Sequence, residues 1–135
     1  MTKPIIGTTI NARYLIESEI GKGGMGTVYR ANDSVLERAV AVKLMSNSKL
    51  GTEGRARLLR EAKLVAKLDH PNIVTVFDAG EYDKNPYIVM QLVEGHTLHE
   101  KPPKDLKKIT TVISQVCTAL EHEDVRARAE DAVGV

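Results

Sequence analysis

The sequence predicts an α+β fold in which three strands precede a helix, two strands follow it, and a second helix comes last. Three observations predict it. A glycine-rich break separates two strand patterns near the N-terminus. An amphipathic helical run spans Glu53 to Leu68, and a second apolar helical stripe follows Lys101-Pro-Pro-Lys104.

Tyr14 to Ile20 is rich in β-branched and aromatic residues and reads as the first strand. Gly21-Lys-Gly-Gly-Met-Gly26 interrupts it, and Thr27 to Ala31 resumes the pattern, so the two form a hairpin around a glycine turn. Asn32 to Ser34 is a second turn, and Ala39 to Met45 is a third strand, apolar except for Lys43. Ser46 to Gly54 is a polar loop. In the run from Glu53 to Leu68, Leu58, Ala62 and Val65 recur with helical spacing, and Asp69-His-Pro-Asn72 ends it. Ile73 to Phe77 and Tyr87 to Val93 are two further strands, joined by a turn through Glu81 to Pro86. In the last helix Ile109, Val112, Ile113, Val116, Cys117 and Leu120 form one stripe.

With 135 residues the chain fits one ordinary domain. Its 42% apolar and 27% charged residues are the balance of a folded protein rather than a disordered one. A net charge of +1 gives no bulk attraction to nucleic acid or to an anionic membrane, so neither is expected as a partner. A single cysteine, Cys117, permits no internal disulfide and suits a reducing cytoplasm. The first residues lack the apolar core of a signal peptide, and no run approaches the roughly 18 apolar residues of a membrane helix. A soluble, cytoplasmic chain is expected.

Ile20 to Val28 contains the pattern G-x-G-x-x-G-x-V. Glycine allows close approach of backbone to phosphate and lets successive N–H groups point at one anion. Alone, the pattern fits a plain glycine hairpin equally well. A dinucleotide fold requires a helix after the glycines, whereas a strand follows here. A Walker loop requires Lys and then Ser or Thr after the last glycine, and Thr27 follows Gly26 directly. Lys43 ends an apolar strand, where a charge is costly unless paired. Glu61 lies 18 positions later, on the helical face of Leu58 and Val65, and could be its partner. Snorkelling of Lys43 and solvation of Glu61 is the plainer alternative.

Ile20-Gly-Lys-Gly-Gly-Met-Gly-Thr-Val-Tyr-Arg-Ala31, Val40-Ala-Val-Lys43, Arg60-Glu-Ala62 and His70-Pro-Asn-Ile-Val74 together resemble the bacterial eukaryotic-type Ser/Thr protein kinases. The resemblance runs from about Ala12 to Leu120. It implies the ATP-binding N-lobe of such a kinase: a five-stranded antiparallel sheet with helix C, followed by a helix corresponding to the start of the C-lobe. On that division 1–11 is an N-terminal extension and 12–98 the N-lobe. Residues 99–135 begin the C-lobe, with a helix at about 104–122 and a divergent tail.

The resemblance also assigns roles. Gly21, Lys22, Gly23, Gly24, Met25 and Gly26 form the flap over the phosphates. Ile20, Val28 and Ala41 pack on adenine, with Met90 as gatekeeper, and Gln91 and Val93 offer hinge backbone groups. Lys43 holds the α- and β-phosphates, and Glu61 holds Lys43. Plain core packing would use the apolar members as well. ATP is the expected cofactor, with magnesium in the intact family.

The segment from Glu121 to Val135 contains neither H-R-D nor D-F-G, the motifs that carry the catalytic base and a magnesium ligand. No metal ligands and no stand-alone phosphoryl transfer are therefore expected. The alternative function is a non-catalytic interaction module that dimerises with itself or binds an intact kinase. His96 and His99 do not have the spacing of a helical metal pair. His70 reads as a turn residue, Cys117 as an inert core thiol, and the basic run from Arg55 to Lys67 as a solvated face.

Overall fold

A computed structural model describes residues 5–23, 26–46 and 51–121. Gly24 and Met25 at the tip of the glycine loop, and the tail from His122 onward, lie outside the described residues. The elements are β1 (Thr9–Ile10), β2 (Tyr14–Gly23), β3 (Gly26–Asp33), β4 (Arg38–Met45), α1 (Gly51–Val65), β5 (Val76–Tyr82), β6 (Asn85–Met90) and α2 (Leu106–Leu120). Two compact units divide the chain, one formed by Met1–Lys67 with Val76–Leu92, the other by Leu68–Thr75 with Val93–Val135.

The first unit holds a sheet in the order β1-β2-β3-β4-β6-β5, with every neighbouring pair antiparallel. Among the described residues it has six strands rather than the five expected. The sixth is Thr9–Ile10, within the segment read as an extension, where Ile10 is fully buried. So short a strand leaves no alternation for a sequence pattern to reveal.

Residues paired across strands share a face, and faces alternate along each strand. One face carries Ala31, Val40, Val42, Tyr87 and Val89, which with Ile10, Tyr14 and Ile16 make the core. The Tyr14 and Tyr87 rings meet edge to face, 6.3 Å between centroids, an arrangement that the ring quadrupoles favour. The opposite face carries Val28, Arg30, Ala41, Lys43, Ile88 and Met90.

Helix α1 packs on β5 and β6. It begins and ends earlier than the expected run to Leu68. Leu68 keeps the apolar rhythm because it is buried, yet it lies past the last helical turn. Strand β5 spans Val76–Tyr82 rather than Ile73–Phe77, and β6 spans Asn85–Met90 rather than Tyr87–Val93. Their hairpin closes on Asp83-Lys84, both at positive φ (48° and 66°), the geometry of a two-residue type I′ turn. Pro86 is accommodated because the β4–β6 ladder begins at Tyr87.

The second unit contains α2, at the position expected for the last helix. Asp105 caps it, accepting from the Lys107 N–H at 3.0 Å. Along one side of α2, Ala119 is buried and the Gln115 carbonyl accepts from Asn72 Nδ2 at 3.0 Å. Adjoining it is an open apolar stripe of Leu106, Ile113, Val116 and Leu120, each about half exposed or more. Cys117 is exposed too, which corrects its reading as a core thiol. No helix among the described residues is long and apolar enough to cross a membrane.

Candidate functional site

The β2–β3 hairpin brings the glycine segment together. Gly21 pairs with Val28, Lys22 with Thr27 and Gly23 with Gly26. A register shift between Glu19 and Gly21 marks a bulge at Ile20, which is half exposed. The described glycines of this segment do not adopt positive φ, so the conformational freedom anticipated for them is not what they supply. Their requirements also differ. A Cβ on Gly26 would lie 2.3 Å from the Leu44 carbonyl oxygen, so the sheet itself demands glycine there. A Cβ on Gly21 or Gly23 would meet nothing within 4 Å.

Register continues the line across the sheet. Val28 pairs with Lys43, and Lys43 with Ile88. One step along, Arg30 pairs with Ala41 and Ala41 with Met90. Val28, Ala41, Lys43 and Met90 therefore occupy one patch of one face, with Gly21 at its margin. Strand spacing places the Gly21 and Lys43 backbones about 10 Å apart, two strand intervals. Gln91 follows the end of β6, and Val93 is exposed in the second unit.

The ion pair expected between Lys43 and Glu61 is not formed. No salt bridge joins them, and Glu61 Oε1 instead accepts from Arg57 Nε at 3.2 Å, one helical turn away. Local geometry explains this: residues i and i+4 are neighbours on a helix surface whatever the helix faces.

Two acidic residues that no motif indicated brace the strands carrying this patch. Asp33, buried at the end of β3, accepts from Arg13 Nε and from its terminal nitrogen, both at 2.8 Å. It also receives the Val35 and Leu36 N–H groups of the following turn. The Arg13 hydrogen bonds hold its carboxyl well below the usual carboxylate range, against the opposing effect of burial. Asp78 on β5 accepts the Tyr14 hydroxyl at 2.6 Å, and Asn11 Nδ2 donates to the Tyr87 hydroxyl. Burial, then the Asp78 bond, pushes the Tyr14 phenol upward. The sequence signal for Asp33 was its place before a turn; Asp78 had none.

Beyond the sheet, Thr97 and Glu100 form a reciprocal cap: the Thr97 N–H donates to Glu100 Oε1 and the Glu100 N–H to Thr97 Oγ1. His96 Nδ1 lies 3.8 Å from Glu100. Among the described residues no group of three His, Cys, Asp or Glu side chains could hold a metal.

A twisted antiparallel sheet with a glycine hairpin over a lysine-bearing face, flanked by one helix, defines the nucleotide lobe of a protein kinase. The protein kinase domain family model matches residues 14–123, and the chain belongs to that family. It is 42% identical over 123 residues to the serine/threonine-protein kinase PrkC of Bacillus subtilis, covering 87% of this chain and 19% of PrkC. Against the serine/threonine-protein kinase PksC of Streptomyces coelicolor the identity is 43% over 123 residues, 81% of this chain and 22% of PksC. Among solved structures, the Mycobacterium tuberculosis PknI kinase domain is similar, with 28% identity and a TM-score of 0.76. That match covers 96% of this chain and 53% of that domain. The chain spans about a fifth of the curated relatives and half of that domain.

Proposed function

We propose that the chain binds ATP as the nucleotide lobe of a Ser/Thr protein kinase. The observation that carries this reading is the contrast among the glycines. Gly26 is required by the sheet, whereas nothing within the fold requires Gly21 or Gly23, whose Cβ positions face open space. Glycine there suits a ligand that approaches the backbone closely, as a phosphate does. Lys43, in line with Gly21 across the sheet, supplies the cation, and Val28, Ala41 and Met90 supply an apolar surface for a base.

When bound, ATP supplies the transferable phosphoryl group. The residues in hand bind and orient it. The sequence contains neither H-R-D nor D-F-G, so these 135 residues alone transfer no phosphoryl group to protein. Isothermal titration with ATP, with and without magnesium, tests the reading. Saturable binding that Lys43→Met weakens supports it, and no binding at millimolar nucleotide overturns it. Turnover of radiolabelled ATP onto protein would overturn the expected inactivity.

The open α2 stripe favours a second reading, a non-catalytic module that pairs with another copy or with an intact kinase. Binding to a full-length kinase with affinity indifferent to Lys43→Met would support it. A strict monomer by light scattering that ignores added kinase would count against it.

A further inference from the structure

The second unit contains a pocket that the nucleotide reading does not use. The capped turn at Thr97–Glu100, closed by the Lys101 N–H on the Thr97 carbonyl at 3.0 Å, sets one wall and presents Leu98 and Lys101. The first turns of α2 set the other, with Lys107, Lys108, Thr111 and Val112, and Pro103 lies between them. The cavity measures about 500 Å³, within the range of small-molecule sites.

Its chemistry is two-sided. Leu98, Pro103, Val112 and the Thr111 methyl offer apolar surface, while Lys101, Lys107 and Lys108 carry three ammonium groups. Among the described residues none of the three takes part in a salt bridge. The one carboxylate in the lining, Asp105, is engaged in capping α2 through the Lys107 N–H. Three cations against one committed anion leave an excess of positive charge beside apolar walls. The N-terminal end of a 15-residue helix adds its partial positive charge at the same place.

We propose that this pocket binds a small amphipathic anion: an apolar body of one or two rings, or a short acyl chain, bearing a carboxylate, sulfonate or phosphate. The apolar body lies on Leu98, Pro103 and Val112, and the anion is held among Lys101, Lys107 and Lys108. This site is independent of the glycine hairpin and does not rest on the nucleotide reading.

The probe is 8-anilino-1-naphthalenesulfonate, titrated into the full chain and followed by amide chemical shifts. The expected result is saturable shifts at Leu98, Thr111 and Val112, with affinity falling as salt is added. Lys107→Glu with Lys108→Glu weakens binding at least about tenfold, the loss expected when two attractive charges become repulsive. Thr111→Trp, which fills the cavity and keeps every lysine, abolishes it, and Lys63→Glu on α1 leaves it unchanged. Circular dichroism identifies any variant that fails to fold, and Thr111→Trp then decides. Shifts that follow Ile113, Val116 and Leu120 instead, or affinity that ignores both the charge reversal and Thr111→Trp, overturn the proposal.

Discussion

Glu61 accepts a 3.2 Å hydrogen bond from Arg57, one turn back on α1, and no salt bridge connects it to Lys43. Both partners are well exposed, with side chains 68% and 47% accessible, so the pair is cheap to break. Exposed pairs at this spacing contribute about 0.3–0.5 kcal/mol. Arg57→Gln should therefore lower stability by no more than that amount. If Glu61, once released, turns to Lys43, ATP affinity should rise about twofold, the factor this energy corresponds to. Calorimetry on the variant decides. Unchanged affinity would show that Arg57 is not what keeps Glu61 from the lysine.

The glycines offer a sharper separation. Gly26→Ala places a methyl 2.3 Å from the Leu44 carbonyl oxygen, a backbone atom that cannot rotate away. Overpacking of this kind costs about 1–3 kcal/mol. Gly21→Ala and Gly23→Ala meet nothing within 4 Å and have ordinary φ, so stability should stay level or rise by about 0.4–1 kcal/mol through a less flexible unfolded chain. Nucleotide affinity should fall in those two variants even so. Urea unfolding beside ATP titration checks both halves. Stable variants at 21 and 23 that bind ATP as well as the parent would remove the main support for phosphate binding at the hairpin.

What could be read in advance follows from which residues carry a period. Val40, Val42 and Val89 sit in strands with enough apolar residues to stand out, and the G-x-G-x-x-G spacing survives without any knowledge of contacts. Strand β5 was misplaced because it carries Asp78, Gly80 and Glu81, residues depleted in strands. It is held by the β6 ladder and by the Tyr14 hydroxyl on Asp78, both set by residues distant in the chain. Lys43 and Glu61 could each be picked out singly. Their pairing could not, because Arg57 competes for the carboxylate and that competition depends on how α1 is rotated and where its side chains reach.

The Tyr14–Asp78 bond ties β2 to β5 across 64 residues of sequence. A hydrogen bond to a charged group contributes about 1.5–3 kcal/mol, and Tyr14→Phe removes it while leaving the ring in place. We expect a loss of about 2 kcal/mol, read as a lower urea midpoint with unchanged slope. A parallel alkaline effect follows. The Tyr14 phenol, ordinarily near 10.0, is raised in the folded chain, so the neutral form is favoured there. The stability this represents is complete below pH 10 and declines as pH rises toward the folded value. Tyr14→Phe should flatten that alkaline decline, whereas an unaltered profile would place its origin elsewhere.

At the acid end Asp33 should dominate. Its carboxyl, ordinarily near 3.8, is lowered first by the Arg13 hydrogen bonds and then by the Leu36 and Val35 N–H groups, which together outweigh burial. A depressed folded value means the unfolded chain binds its proton first. The contribution is therefore complete above about pH 4 and is lost as pH falls toward the folded value. Asp33→Asn keeps a carbonyl for the Val35 and Leu36 N–H groups but turns an amide toward Arg13. It should lower stability at neutral pH and reduce the acid dependence. Arg13→Gln should do the same from the other side, and the double variant should cost less than the two single changes summed, because both remove one interaction. Thermal unfolding from pH 2 to pH 7 measures all three. Additive costs with an unchanged acid limb would show that the two parallel 2.8 Å bonds do not act as the unit that the geometry describes.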